Sequence, residues 1–132
     1  VAVAEPDAAL RRLLVAKLLD GGYEVYEAAT GGELVELCVP HGPAGSDVDL
    51  VIVDQAIDDP SGLDLVRLLR AAGRRDPVIL TTRAASPWLS AHAKRLAATI
   101  VTKPYALDVL STLVRAALLL QPPRRGRYRL VP

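Results

Sequence analysis

The chain has 132 residues, 51% of them hydrophobic, and a formal net charge of +1. That is one domain's length with enough apolar material for a buried core, and the near-neutral balance excludes a global pull toward nucleic acid or anionic membrane. With no Phe, one Trp and four Tyr, the core has to be aliphatic.

The single Cys38 excludes an internal disulfide and fits a reducing compartment, so a cytoplasmic location is expected. His41 and His92 are far apart with no Cys pair beside them, which argues against zinc. No apolar run approaches bilayer-spanning length and no signal peptide is visible, so no membrane association is expected. One stretch is strongly basic: the C-terminal PPRRGRYR, with four Arg in six residues.

Taken in chain order, the first strand is expected at Val1–Ala4. Asp7 can cap a helix running through Leu19, with Leu10, Leu13, Leu14 and Leu18 as its apolar stripe and Gly21-Gly22 as its stop. A second strand follows at Glu24–Glu27, and Thr30-Gly-Gly-Glu33 reads as a capping box opening the second helix. The stretch from Val39 to Val48, with two Pro and two Gly, is expected to be a surface loop. The third strand is Leu50–Val53, followed by a helix from Gly62 to about Ala72. The fourth strand is Val78–Thr81, and Ser86-Pro87 opens the fourth helix with Pro at its first position. A fifth strand at Thr99–Thr102 and a helix over Ala106–Leu120 complete the pattern, which Pro122-Pro123 ends. The strands are short and continuously apolar, as strands covered on both faces are. Five strand–helix alternations imply parallel crossovers and an α/β three-layer sandwich.

The polar residues fall at strand ends. The first strand ends on Glu5, DLVIVD on Asp54, PVILTT on Thr81-Thr82 and TIVTKP on Lys103. In an open parallel sheet these ends share one edge, where ligands bind. Two carboxylates, a hydroxyl and an ammonium on one rim suit phosphoryl transfer onto Asp54, with Mg²⁺ held by few carboxylates and with Lys103 and a hydroxyl on phosphoryl oxygens.

The stretches VDLVIVD at 48–54, Gly62-Leu63, PVILTT at 77–82 and TKPY at 102–105 together resemble the receiver domain of bacterial two-component response regulators. The resemblance covers residues 1 to about 120 and leaves 121–132 as an Arg-rich tail or linker. It implies a flavodoxin-like five-stranded parallel sheet in the order 2-1-3-4-5. It further implies a phosphoacceptor at Asp54, phosphoryl binding by Thr82 and Lys103, and a cis Lys103–Pro104 bond. Thr81 competes for the hydroxyl role, and alignment with the family assigns that role to Thr82. The metal would be held by Glu5, Asp54 and the carbonyl of Ala56. The implied partners are a histidine kinase or phosphotransfer protein and a C-terminal effector domain of the DNA-binding kind, with homodimerisation as in many relatives. On this reading the domain is a phosphoacceptor in signalling and not an enzyme.

Two departures from the family pattern stand out. Where the family has two adjacent acids, this chain has Glu5-Pro6, so a weakened Mg²⁺ site is expected; Asp7 is better placed as a helix cap, and Asp58 is an alternative source of charge. At the switch position the family's aromatic is Ile100, which has no ring to swing and no hydroxyl. These departures favour a competing expectation: a phosphorylation-independent pseudo-receiver acting as a protein-interaction or ligand-sensing module. A nucleotide- or flavin-binding enzyme fits poorly, because EPDAA after the first strand has no glycine for a phosphate to approach.

Overall fold

The structure is a computed structural model and describes residues 1–39 and 46–121. Ten elements alternate: β1 (Ala2–Ala4), α1 (Ala8–Asp20), β2 (Tyr26–Ala28), α2 (Gly31–Cys38), β3 (Val51–Asp54), α3 (Gly62–Ala71), β4 (Val78–Thr82), α4 (Pro87–Arg95), β5 (Ala98–Thr102) and α5 (Leu107–Leu119). The strands form one parallel sheet in the order β2-β1-β3-β4-β5, the flavodoxin-like order the sequence predicts.

Strand pleating sends alternate residues to opposite faces. Val3, Ile52 and Ile79 pack against Leu14 and Leu18 of α1 and Leu110 and Val114 of α5. Ala4, Val53 and Leu80 face the other way, onto Leu34 of α2, Leu63 and Val66 of α3 and Leu89 of α4. Both faces are covered, so both sets must be apolar, and the strands therefore read as unbroken aliphatic runs.

The helix starts follow their capping chemistry. Asp7 Oδ1 accepts the N–H groups of Ala9 at 2.9 Å and Leu10 at 3.1 Å. Thr30 Oγ1 accepts the Glu33 N–H at 3.2 Å, while the Glu33 carboxylate reaches back to the Ala29 N–H, one residue before the position a capping box would close on. Ser86 Oγ accepts the Leu89 N–H at 3.0 Å, with Pro87 as the first helical residue. Ser61 differs: its hydroxyl donates to the Asp64 carboxylate and makes no cap bond to the backbone.

Some boundaries depart from the sequence expectation. The β2 ladder starts at Tyr26, whose N–H donates to Val1 O at 2.9 Å, and so runs two residues later than Glu24. β3 and β4 each extend one residue further, to Asp54 and Thr82, because Asp54 pairs with Thr81 and Thr82 pairs with Thr102 in the ladder. Leu13, expected in the apolar stripe of α1, is 57% exposed. The Arg-rich tail at 122–132 and residues 40–45 of the expected loop lie outside the described residues. No helix among the described residues is long and apolar enough to cross a membrane.

At the edge of the sheet away from the strand C-termini, the Arg74 guanidinium donates to Asp76 Oδ2 at 2.7 Å, Cys38 O at 2.6 Å and Val48 O at 3.1 Å. That one side chain ties the end of α2 to the approaches of β3 and β4. Cys38 itself is a buried core residue, as expected.

The β3–α3 connection closes tightly under Gly62. A Cβ there would lie 2.6 Å from Asp54 O and 2.8 Å from Gln55 Cα, both backbone atoms. Gly62→Ala is therefore expected to lower stability by about 1–3 kcal/mol, read as a lower urea midpoint at constant slope. An unchanged midpoint would show that the connection shifts freely.

Candidate functional site

The ladder register that aligns Ala4 with Val53 makes the next residues, Glu5 and Asp54, neighbours at the C-terminal edge of the sheet. Both are buried, at 3% exposure each. The Lys103 ammonium lies between them: Nζ donates to Asp54 Oδ1 at 2.8 Å and pairs closely with Glu5 Oε1. Lys103 is held by its own backbone, whose N–H donates to Thr82 O at 2.7 Å, and its bond to Pro104 is cis as the resemblance implies; Asp59–Pro60 is cis as well. Three of the sequence-predicted residues thus meet in one cluster.

The remaining donors to Asp54 are Thr81 and Ala56. Thr81 Oγ1 donates to Oδ1 at 2.7 Å, and the Ala56 N–H donates to Oδ2 at 2.9 Å. Thr82, which the resemblance assigns to the phosphoryl group, faces elsewhere: its Oγ1 accepts the Ala84 N–H at 3.2 Å and pairs with Ala84 O at 3.3 Å. Pleating explains this. Thr81 has the parity of Ile79 and so points to the face that carries Asp54, whereas Thr82 shares the parity of Leu80 and Ile100. The alternation itself is readable in PVILTT, but which of the two faces carries Asp54 follows from the β3–β4 register.

The segment Glu5-Pro6-Asp7 divides its roles. Glu5 points inward, with Oε2 accepting the Asp7 N–H at 3.2 Å, and Arg11 Nη1 donates to Glu5 O at 2.6 Å. Pro6 is exposed. Asp7 caps α1, and the Leu10 N–H chiefly holds its carboxyl below the usual carboxylate range, with the charges of Lys103 and Arg83 adding to that effect. Asp58 is exposed in the loop, where its carbonyl accepts the Gly31 N–H at 2.8 Å.

Among the described residues no group of three or more His, Cys, Asp and Glu side chains could hold a metal. Glu5 and Asp54 are nonetheless hard-oxygen donors, and one ammonium against two carboxylates leaves a negative charge unmatched. That set fits Mg²⁺, which takes one or two carboxylates and keeps several waters.

Around this cluster, Ile100 is half-buried against the core on the face of α2, α3 and α4. Tyr105 packs on the opposite face beside α1 and α5, and lines a cleft with Leu10, Arg83, Lys103 and Pro104. Burial pushes its phenol up. Trp88, whose surroundings the sequence left open, is 59% exposed, with its ring centroid 4.4 Å from that of His92.

Burial alone would lower the Lys103 pKa, but the hydrogen bonds and charges of Asp54 and Glu5 outweigh it and hold the ammonium above the ordinary 10.5. The unfolded chain releases this proton near 10.5 while the folded chain keeps it. The stability from this site is therefore complete below 10.5 and is lost as pH rises through the higher folded value. Lys103→Met is expected to lose about 3 kcal/mol at neutral pH, because two buried carboxylates lose their cation. Its unfolding midpoint should also fall less steeply than that of wild type above pH 10.5. Parallel alkaline profiles would show that the ammonium contributes nothing.

Comparison with known proteins places this geometry in a family. Residues 1–115 match the family described as the response regulator receiver domain. The transcriptional regulatory protein KdpE of Mycobacterium tuberculosis is 30% identical over 117 residues, covering 89% of this chain and 50% of that protein. The probable transcriptional regulatory protein SilR of Salmonella typhimurium is 31% identical over 127 residues, covering 96% and 51%. This chain spans about half the length of the curated relatives it matches. Among solved structures, the non-phosphorylated HemR receiver domain of Leptospira biflexa superimposes with a TM-score of 0.81 at 24% identity, covering 92% of this chain and 95% of that one. The chemotaxis protein CheY4 of Vibrio cholerae gives 0.77 at 23% identity, covering 89% and 96%, and at such identity the likeness speaks for the fold. The sequence match over nearly the whole described chain, on a parallel sheet of this order, shows that the chain belongs to the response regulator receiver domains of two-component signal transduction.

Proposed function

We propose that this receiver domain accepts a phosphoryl group on Asp54 from a histidine kinase or phosphotransfer protein and passes its state to a C-terminal effector. The observation that carries this reading is the buried Asp54 carboxylate at a strand end, with the Lys103 ammonium at 2.8 Å. A carboxylate oxygen attacks the phosphorus of a phosphohistidine. The N–P bond breaks, its electron pair stays on the imidazole nitrogen, and an acyl phosphate forms. Lys103 then compensates charge on the phosphoryl oxygens. The Thr82 hydroxyl reaches those oxygens by leaving Ala84, and Ile100, on the same face, passes on the change through packing. Glu5, Asp54 and the Ala56 carbonyl are the groups to hold Mg²⁺, which when bound draws negative charge from the phosphoryl oxygens. In this role Asp54 is the substrate of the transfer, and the domain acts as a signalling element and not as an enzyme.

KdpE and SilR are named as transcriptional regulatory proteins, and this chain matches about half of each. Those matches support a DNA-binding effector as the output. A cytoplasmic setting and a homodimer that pairs two effectors complete this proposal.

Treatment with acetyl phosphate and Mg²⁺, followed by intact mass measurement, is expected to add one phosphoryl group to the wild type and none to Asp54→Asn. If the wild type takes up nothing, the phosphorylation-independent module is the better reading. Pro6→Asp restores a second acid beside Glu5 and is expected to tighten Mg²⁺ binding on the order of tenfold in a calorimetric titration. An unaltered affinity would remove Glu5 and its neighbour from the metal site.

A further inference from the structure

Thr81 stands where two strands bring a hydroxyl directly onto the acceptor carboxylate. It is 2% exposed and is paired in the ladder with Asp54 itself. Its Oγ1 donates to Asp54 Oδ1 at 2.7 Å, the same oxygen that takes the Lys103 ammonium. The Gln55 N–H donates to Thr81 O at 2.8 Å, so the backbone on both sides of this contact is fixed. Thr82, the neighbouring hydroxyl, is occupied with Ala84.

On the reading that Asp54 carries the phosphoryl group, we infer that Thr81 is the hydrogen-bond donor that stabilises the departing Asp54 carboxylate and so shortens the life of the acyl phosphate. In hydrolysis a water oxygen attacks phosphorus and the bond between phosphorus and the Asp54 oxygen breaks. The electron pair goes to the carboxylate, and the water's proton leaves to solvent with inorganic phosphate. In the acyl phosphate, neither Asp54 oxygen is a full anion. As the bond breaks, negative charge spreads over both oxygens by resonance, so the hydrogen bond to Oδ1 strengthens whichever oxygen held the phosphoryl group. A donor placed in advance where charge develops lowers the barrier, and a charge-assisted bond in a water-poor site is worth more than a neutral one. Thr81 acts on the departing carboxylate alone and touches neither the phosphorus nor the attacking water.

The test is the decay of the phosphorylated chain after donor and Mg²⁺ are removed, so that the protein's own residues set the rate. Thr81→Val keeps the side-chain shape and deletes the hydroxyl; its phosphoprotein is expected to persist on the order of tenfold longer, equivalent to about 1.4 kcal/mol. Thr81→Ser restores the hydroxyl and is expected to return the lifetime toward that of wild type, which a purely structural role of the Thr side chain would not produce. A lifetime in Thr81→Val equal to or shorter than that of wild type overturns the inference and leaves Asp54 as acceptor. So does a Thr81→Val chain that folds but cannot take up the phosphoryl group. If the wild type takes up none, the acceptor reading and this inference fall together.

Discussion

Two carboxylates buried side by side repel each other, and taking them out of water adds a desolvation cost. The Lys103 ammonium offsets both effects at once by pairing with Glu5 and Asp54. These three residues come from the ends of β1, β3 and β5, so the contact exists only when the whole sheet has its observed order. β4 lies between β3 and β5, and it supplies Thr81 to the same carboxylate oxygen. The site is therefore a consequence of parallel topology: all strand C-termini reach one edge, and the crossover helices leave that edge open.

Such a cluster is a weak source of stability, since a buried ion pair regains in attraction about what it loses in hydration. The fold rests instead on the two aliphatic layers of the core, in which Leu, Val, Ile and Ala interdigitate on both faces of the sheet. What the cluster provides is a fixed field. Every buried side-chain polar atom among the described residues has a hydrogen-bond partner. Asp54 is thus held in one orientation by Lys103, Thr81 and the Ala56 N–H, and little reorganisation is needed when charge moves through it.

The segment EPD shows how one chain position can change a site while the fold persists. Pro6 has no donor to offer and is turned to solvent, yet Glu5 still points in and Asp7 still starts α1. The cap and the buried acid obey local rules that Pro6 does not disturb. Ile100 is a similar case: it packs half-buried against the core on the face of α2, α3 and α4 without an aromatic ring, and the sheet is undisturbed.

The sequence by itself determined the strand–helix alternation, the aliphatic double-layer core, the caps at Asp7, Thr30 and Ser86, and the convergence of Glu5, Asp54 and Lys103. Each of these depends on short-range patterning, or on the rule that parallel strands end at a common edge. Strand limits were less legible: β2 is an edge strand whose start depends on which N–H finds Val1 O, a contact made by residues far apart in sequence. Arg74, Asp76, Cys38 O and Val48 O likewise meet only through chain crossings that no local pattern encodes. Which of Thr81 and Thr82 contacts the Asp54 carboxylate was decided by tertiary structure. Adjacent residues on a strand point to opposite faces, and which face holds the carboxylate follows from the β3–β4 register, which is set by packing across the whole sheet.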